Sequence, residues 1–338
     1  MKTDDFDFQL PPELIAQHPY QKRDDARLLV LNRLTAKIEH KMFYNIIDFL
    51  NKDDVLVIND TKVLPARLIG YKADTQAKIE LLLLKEIRKN TWECLVKPSR
   101  KIKLGNVVTF ADLLTATCIE KLADGLALFE LSYEGILIEI LEKLGQMPLP
   151  PYIKTQVSKN DDYQTVYAKE LGSAAAPTAG FHFTNELLRK IESKGVEILK
   201  ITLHVGLATF RPVTVKDIKQ HQMHFENYTI TPNVKDRLNL AIKAKKRVIA
   251  VGTTTVRTLE SNFDNGFKEG NFDTNIFIYP GYKFKVVDAL ITNFHLPKST
   301  LIMLVSAFYD IEHILSSYQR AIEEKYLFFS FGDAMFIF

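Results

Sequence analysis

The chain has 338 residues, of which 46% are hydrophobic and 25% charged, and this composition is typical of a globular protein with a substantial core. It excludes the disordered, collagen-like and low-complexity classes. A net charge of +3 is too small to indicate a nucleic-acid-binding protein by itself, and two cysteines without a CxxC pair predict neither a disulfide framework nor a thiolate metal site.

The N-terminal stretch MKTDDFDF is acidic, whereas a signal peptide is basic and then apolar. No apolar run approaches the roughly 20 residues that span a bilayer. We therefore expect a cytoplasmic protein that does not associate with membranes.

The first elements are a short proline-initiated helix in LPPEL and a buried strand over residues 26–32. KIEHKMFYNIIDFL predicts a strand and an amphipathic helix. A second buried strand over 55–58 ends in Asn59, Asp60 and Thr61. Polar residues at the carboxyl end of a buried strand are typical of ligand sites in α/β sheets.

Short strand-like runs with turn residues between them follow from residue 63 to about 134, and they predict a small β-barrel. We place it at 63–145, inserted into a larger domain formed by 1–62 and 146–338. One stretch of it is basic, with Lys97, Arg100, Lys101 and Lys103. Such a cluster can meet phosphates, although a solvated surface is the commoner explanation.

The remainder alternates helices and strands, beginning with a helix that Thr184 would cap. This alternation is typical of a mainly parallel sheet covered on both faces. The predicted fold class is therefore α/β, a larger three-layer domain interrupted by an inserted β-barrel.

GSAAAPTAGFHFT, residues 172–184, places small residues and His182 directly before a predicted helix. Small residues let a backbone approach a ligand closely, and a helix N-terminus offers unpaired N–H groups. A tight loop that only packs against its neighbours would explain the same pattern.

A second strand-to-helix turn is VIAVGTTTVRTLE, in which Gly252 permits a sharp turn and Arg257 follows three threonines. The turn lacks the GxxxxGK[ST] pattern of a P-loop. Threonines that cap their own helix would explain one or two of the hydroxyls.

A third turn, TNFHLPKST, joins a strand to a long apolar helix and contains Asn293, His295, Lys298 and Ser299. A cation in the first turn of a helix opposes the helix dipole at a cost of about 0.3 to 1 kcal/mol. The position of Lys298 therefore predicts an anion that compensates its charge, unless the lysine side chain extends into solvent.

Two further polar segments are HVGLATFRPV, with His204 and Arg211, and HQMHFENY, with Glu226. Histidines beside a carboxylate can hold a metal ion, but one HxxH is weak evidence and no HExxH is present. General acid–base or hydrogen-bonding roles are favoured.

These motifs together resemble the S-adenosylmethionine:tRNA ribosyltransferase-isomerases of the queuosine pathway. The resemblance extends over nearly the whole chain, and it rests on LPPELIAQHP, NDTKVLPARLIG, GSAAAPTAGFHFT, HVGLATFRPV, HQMHFE, VGTTTVRTLES, TNFHLPKSTLIMLVSAF and FFSFGDAM.

The resemblance implies an enzyme that transfers the ribosyl group of S-adenosylmethionine to the aminomethyl nitrogen of 7-aminomethyl-7-deazaguanine at the wobble position of a tRNA. Adenine and methionine leave, and the product is epoxyqueuosine. It also implies an α/β domain interrupted by a β-barrel. S-adenosylmethionine would be a co-substrate, and no metal is expected.

With the resemblance, the motifs give three sets of candidate residues. The proton-transfer candidates are His182 and His204, with Asp60, Glu226 and Asp333 as alternatives. The predicted S-adenosylmethionine-binding residues are Thr178, Gly180, Thr253, Thr254, Thr255, Arg257, Asn293, His295, Lys298 and Ser299. The predicted tRNA-binding residues are Arg67, Arg100, Lys101 and Arg211.

Two other functions fit parts of the sequence. The histidine cluster would suit a metal-dependent hydrolase, and the barrel would suit a tRNA-binding module without catalysis. Beyond tRNA we expect no obligate protein partner, and we expect a monomer.

Overall fold

The computed structural model describes residues 1–155, 160–206 and 213–338. The chain divides into two compact units: Met1–Lys62, Pro151–Glu170 and Ala176–Phe338 form the first, and Val63–Pro150 and Leu171–Ala175 form the second. The second unit begins at Val63, as the predicted insertion at 63–145 does, but it continues to Pro150 and also includes Leu171–Ala175. The assignment of catalysis to the larger unit stays a prediction.

The elements are numbered in chain order. The strands are β1 (Arg27–Leu31), β2 (Ile38–Met42), β3 (Asp54–Asn59), β4 (Thr61–Val63), β5 (Arg67–Lys72), β6 (Lys78–Arg88), β7 (Thr91–Lys97), β8 (Val107–Phe110), β9 (Leu114–Lys121), β10 (Leu126–Tyr133), β11 (Glu170–Ser173), β12 (Glu197–Leu203), β13 (Glu226–Ile230), β14 (Arg247–Val251), β15 (Gly270–Thr274), β16 (Ala289–Asn293) and β17 (Ala334–Ile337). The α-helices are α1 (Leu137–Leu144), α2 (Asn185–Ser193), α3 (Pro232–Lys243), α4 (Thr253–Asn262), α5 (Thr300–Phe308) and α6 (Ile311–Glu323).

A nine-stranded sheet forms the centre of the larger unit, in the order β15-β13-β12-β3-β14-β16-β17-β1-β2. Its four neighbouring strands β12, β3, β14 and β16 are parallel, as predicted from the alternation of strands and helices. Antiparallel pairs then join β13 and β15 on one side and β17 on the other, and β2 pairs antiparallel with β1. β17 and β1 pair in parallel. Four of the eight neighbouring pairs are therefore parallel and four are antiparallel, so the sheet is mixed rather than mainly parallel.

Helices cover both faces of this sheet. On one face, Leu187 and Ile191 of α2 belong to a buried apolar cluster with Leu56 of β3 and Ile249 of β14. On the other face, α4 packs against β14, β12 and β3. The predicted α/β class is confirmed, with helices on both sides of the sheet.

The second unit contains a closed six-stranded barrel, β10-β7-β6-β5-β8-β9, in which every neighbouring pair is antiparallel. Cys94 and Cys118 are buried in it as free cysteines. Burial raises the pKa of the Cys94 thiol, which suits a packing role rather than a reactive one.

Two of the predicted helices near the N-terminus are short 3-10 helices, Pro12–Leu14 and Phe43–Phe49. Asparagine and isoleucine occupy the middle of the second one, and both have modest α-helix propensity. Among the described residues, no helix is both long and apolar enough to cross a membrane.

Candidate active site

Four predicted site segments follow the four parallel strands of the sheet. Asp60 follows β3, His204 follows β12, Gly252 follows β14, and Asn293 is the last residue of β16. Because parallel strands end at the same edge of a sheet, all four lie at one edge. Glu226 and Asp333 begin or directly precede antiparallel strands, β13 and β17, and therefore lie at this edge as well.

A cleft at this edge is formed by the three turns that the sequence singled out. It encloses about 700 Å³ of empty volume, part of which is open to solvent. The described residues that line it carry hydroxyl, amide, imidazole, aromatic and aliphatic groups, and none of them is an Asp, Glu, Lys or Arg. They are Tyr152, Ala176, Pro177, Thr178, Ala179, Val205, Gly252, Thr253, Thr254, Thr292, Asn293, Phe294, His295, Leu296, Ser299, Leu301, Phe329 and Ser330.

Gly252 makes the turn from β14 into α4 possible. Its φ is 85° and its ψ is 154°, a conformation that is almost confined to glycine. The first two threonines of α4, Thr253 and Thr254, line the cleft, whereas the Thr255 hydroxyl donates to the carbonyl of Val251, the last residue of β14. Thr255 does not line the cleft, and the binding role predicted for it stays a prediction.

Asn293 connects the cleft with the first predicted motif. The Thr178 hydroxyl donates to Asn293 Oδ1 over 3.0 Å, and Asn293 Nδ2 is 3.0 Å from Nε2 of the buried His182. The His182 ring also packs on Phe43, with 5.0 Å between ring centroids. This chain of hydrogen bonds fixes the Asn293 amide, which lines the cleft.

His182 and His295 are neutral at physiological pH. Burial, with a smaller contribution from Arg23, lowers the pKa of His182 to about 3. Burial alone lowers the pKa of His295 to about 3. His295 Nε2 shares a hydrogen bond of 2.8 Å with the Thr292 hydroxyl.

The lowered pKa values of these two histidines predict that the folded protein loses stability in acid. In the unfolded chain each takes up a proton near pH 6.5, whereas in the folded chain each does so only near pH 3. Protonation therefore favours unfolding across that window, by up to about 1.4 kcal/mol per pH unit for each group. Chemical denaturation of wild type and His295→Gln at several pH values would measure this. The variant should show the shallower dependence, and equal slopes would contradict the prediction.

His204 and Asp60 are paired with neighbouring threonines. His204 Nδ1 lies 2.8 Å from the Thr61 hydroxyl, and burial lowers the pKa of His204 while Glu170 opposes that shift. The Thr202 hydroxyl donates to Asp60 over 2.7 Å, and burial raises the pKa of Asp60. Neither side chain lines the cleft, although Val205, next to His204, does.

Glu226 and Arg257 form a buried ion pair. Glu226 also lies 3.1 Å from His224 Nε2 and accepts a hydrogen bond from the Gly206 N–H. Burial alone would raise the pKa of Glu226, but Arg257 and His224 hold it below its usual value. A carboxylate in this state is a poor proton-transfer group, so this arrangement argues against the role predicted for Glu226.

Two further predicted site residues have structural contacts instead. The Asp333 carboxylate is fully buried and accepts hydrogen bonds from the Tyr20 hydroxyl and from the N–H groups of Arg27 and Leu327. At Gly180 an added Cβ would lie 2.0 Å from the Tyr167 hydroxyl. Glycine is thus required there by packing, and neither residue lines the cleft.

Lys298 precedes α5 rather than lying in its first turn. Ser299 is the N-cap and accepts from the Ile302 N–H, while the Lys298 ammonium pairs with Asp4 and Asp7 at 2.8 and 3.0 Å. The anions that compensate Lys298 are therefore carboxylates of the protein itself, which removes the argument for a bound ligand anion there.

The predicted tRNA-binding residues differ in their exposure and in their ion pairs. Arg67 pairs with Glu80 at 2.8 Å, whereas Arg100 and Lys101 are exposed in a 3-10 helix of the second unit. Arg211 lies outside the described residues.

Several cleft residues were missed at the level of sequence, among them Tyr152, Phe294, Phe329 and Ser330. Phe329 and Ser330 belong to FFSFGDAM, a motif from which only Asp333 was given a role, so the signal for these two residues was present in the sequence. Among the residues that the structure describes, no group of three His, Cys, Asp or Glu side chains is arranged to hold a metal ion.

The chain is similar to known proteins over its whole length. The model of the family described as "Queuosine biosynthesis protein" matches residues 3–337. An S-adenosylmethionine:tRNA ribosyltransferase-isomerase of Desulfitobacterium hafniense is 56% identical over 340 residues, which is 100% of both chains. A crystal structure of S-adenosylmethionine tRNA ribosyltransferase from Thermotoga maritima is 37% identical, covers 99% of this chain and 100% of that one, and aligns with a TM-score of 0.57. These matches confirm the resemblance inferred from the motifs, and the chain belongs to the family of queuosine biosynthesis proteins.

Proposed function

We propose that this chain is an S-adenosylmethionine:tRNA ribosyltransferase-isomerase. It transfers the ribosyl group of S-adenosylmethionine to 7-aminomethyl-7-deazaguanine in a tRNA anticodon and rearranges it to give epoxyqueuosine. The full-length identity to the Desulfitobacterium hafniense enzyme supports the reaction. The observation in the structure that carries the proposal is the single cleft formed by all three polar turns.

The chemistry of the cleft suits the adenosine part of S-adenosylmethionine. Hydroxyl and amide groups can bond the ribose and the adenine edge, and the Tyr152, Phe294 and Phe329 rings offer apolar area to a flat base. The predicted residues that we retain for this role are Thr178, Thr253, Thr254, Asn293, His295 and Ser299.

The reaction requires a base for the proton beside the sulfonium and an acid for the departing adenine. Of the two histidines predicted for proton transfer, we favour His204. Its neighbour Val205 lines the cleft, and Glu170 opposes the downward shift of its pKa. The strongly lowered pKa and the Asn293 contact of His182 suit a positioning role better.

The remaining assignments stay predictions. We propose that exposed Arg100 and Lys101, together with Arg67 and Arg211, contact tRNA phosphates, that the enzyme acts in the cytoplasm, and that it is a monomer. An apparent affinity for RNA that falls steeply with salt would support the phosphate contacts.

The experiment that tests the function uses purified protein, S-adenosylmethionine and an anticodon stem-loop RNA carrying 7-aminomethyl-7-deazaguanine. Free adenine and methionine should appear together with an RNA of increased mass. The matched control is the same stem-loop with guanine at the wobble position, which lacks the nucleophilic amine and should release no adenine.

The competing outcomes are distinct in the same assay. Release of S-adenosylhomocysteine would indicate methyl transfer and contradict the proposal. RNA binding without any consumption of S-adenosylmethionine would instead favour a tRNA-binding module.

A further inference from the structure

A second, smaller cavity of the larger unit lies beside the cleft and contains a charged group. It has about 280 Å³ of empty volume, part of which is open to solvent, and we call it the arginine cavity. Its polar lining residues are Arg257, His224 and Thr300, and its apolar walls include Phe277, Leu301 and Leu304. Leu301 also lines the cleft, so the two cavities have this side chain in common.

Arg257 uses only one part of its guanidinium group within the protein. Nη1 donates to Glu226, whereas Nε and Nη2 have no hydrogen-bond partner among the described residues. Arg257 is 4% exposed, so these donors cannot be satisfied by bulk water. Leaving buried donors of a charged group unpaired is costly, and a carboxylate is the planar acceptor that matches two neighbouring guanidinium N–H groups.

The walls of the arginine cavity indicate what carries that carboxylate. Beyond Arg257, Phe277, Leu301 and Leu304 provide an apolar environment that suits an aliphatic or thioether chain better than a nucleic-acid backbone. Among the described residues that line the adjoining cleft there is no Lys or Arg, so these residues offer a carboxylate no partner of opposite charge.

We propose that the arginine cavity binds the methionyl end of S-adenosylmethionine, with the free edge of Arg257 holding its carboxylate. The adenosine part occupies the cleft, and the chain passes from one cavity to the other at Leu301. Glu226 is a positioning residue, because it holds the other edge of the guanidinium. The inference rests on the proposed function, since that function supplies the ligand.

The test compares two ligands on two proteins by calorimetry without RNA, so that no turnover occurs. The ligands are S-adenosylmethionine and its decarboxylated analogue, which keeps the sulfonium and the amine. Wild type should bind S-adenosylmethionine about 10- to 100-fold more tightly than the analogue. Arg257→Lys keeps a cation for Glu226 but loses the second edge of the guanidinium. This variant should therefore bind the two ligands about equally tightly.

Arg247→Lys is the matched control. Arg247 also forms a two-point ion pair, with Asp54 on β3, but it does not line either cavity. The control should retain the wild-type preference for S-adenosylmethionine. Equal binding of adenosine by wild type and Arg257→Lys would show that the cleft is intact.

Three outcomes would overturn the inference. If Arg257→Lys kept the preference, or weakened both ligands equally, Arg257 would not hold the carboxylate. If the preference persisted and a separate titration with the anticodon stem-loop, without S-adenosylmethionine, showed weaker RNA binding by the variant, the site would belong to an RNA phosphate. If wild type bound neither ligand, the proposed function itself would fail, and the inference with it.

Discussion

Replacing Glu226 by glutamine is expected to lower the free energy of unfolding of the larger unit by about 3 to 5 kcal/mol. The substitution keeps the size of the side chain, but it replaces one acceptor oxygen by a donor NH2 group and leaves the Arg257 charge buried without the Glu226 counter-charge. The effect is large because both members of the pair are almost fully buried, at 3% and 4% exposure.

Far-ultraviolet circular dichroism during denaturation is the appropriate measurement, because five of the six numbered α-helices belong to the larger unit. Tryptophan fluorescence would report the barrel instead, since Trp92, in β7, is the one tryptophan of the chain. Glu197→Gln is the control: Glu197 pairs with the half-exposed Arg237, and its loss should cost less than about 1 kcal/mol. Equal destabilisation by the two substitutions would contradict the prediction.

Replacing His204 by asparagine is expected to slow turnover by about 100-fold to 10,000-fold, which is the usual contribution of a general acid or base. Asparagine can retain the hydrogen bond that His204 Nδ1 makes with Thr61, but it cannot transfer a proton at neutral pH. The rate of adenine release at saturating S-adenosylmethionine and RNA measures the effect.

His313→Asn provides the comparison for this substitution. His313 is an exposed histidine of α6 that pairs with Asp310, away from the cleft, and its replacement should leave turnover unchanged. If His204→Asn kept turnover within tenfold of wild type while remaining folded, His204 would only stabilise the turn around Thr61. The proton-transfer role would then have to be sought at another group.

The sequence was most informative about long, strongly patterned elements. The central parallel strands are runs of Val, Ile and Leu followed by polar turns, and that pattern identified both the strands and the edge at which the site lies. The strands β13 and β15, ENYTI and GNFDT, were missed because they are mostly polar and alternate over only five residues, and β17 was missed because it has only four residues. Their absence from the prediction made the sheet look more parallel than it is.

The candidate site was predictable to the level of turns but not of individual side chains. The sequence could show that Lys298 needed an anion, because a cation near the start of a helix opposes the helix dipole. It could not show that Asp4 and Asp7 supply that anion, or that Glu226 pairs with Arg257, because these contacts join residues far apart in the chain. For the same reason, the sequence could not show that the Asp333 carboxylate accepts hydrogen bonds from Tyr20 and Arg27, near the other end of the chain, in addition to the nearby Leu327 N–H.

The position of β17 has a consequence for how the chain folds during synthesis. β17 lies between β16 and β1, so β1 and β2 cannot join the rest of the sheet until residues 334–337 have left the ribosome. The barrel strands, in contrast, come from consecutive segments between Arg67 and Tyr133 and can pair much earlier. Nascent chains should therefore carry a closed barrel beside an unfinished sheet, whose exposed strand edges need protection from aggregation until the last strand arrives.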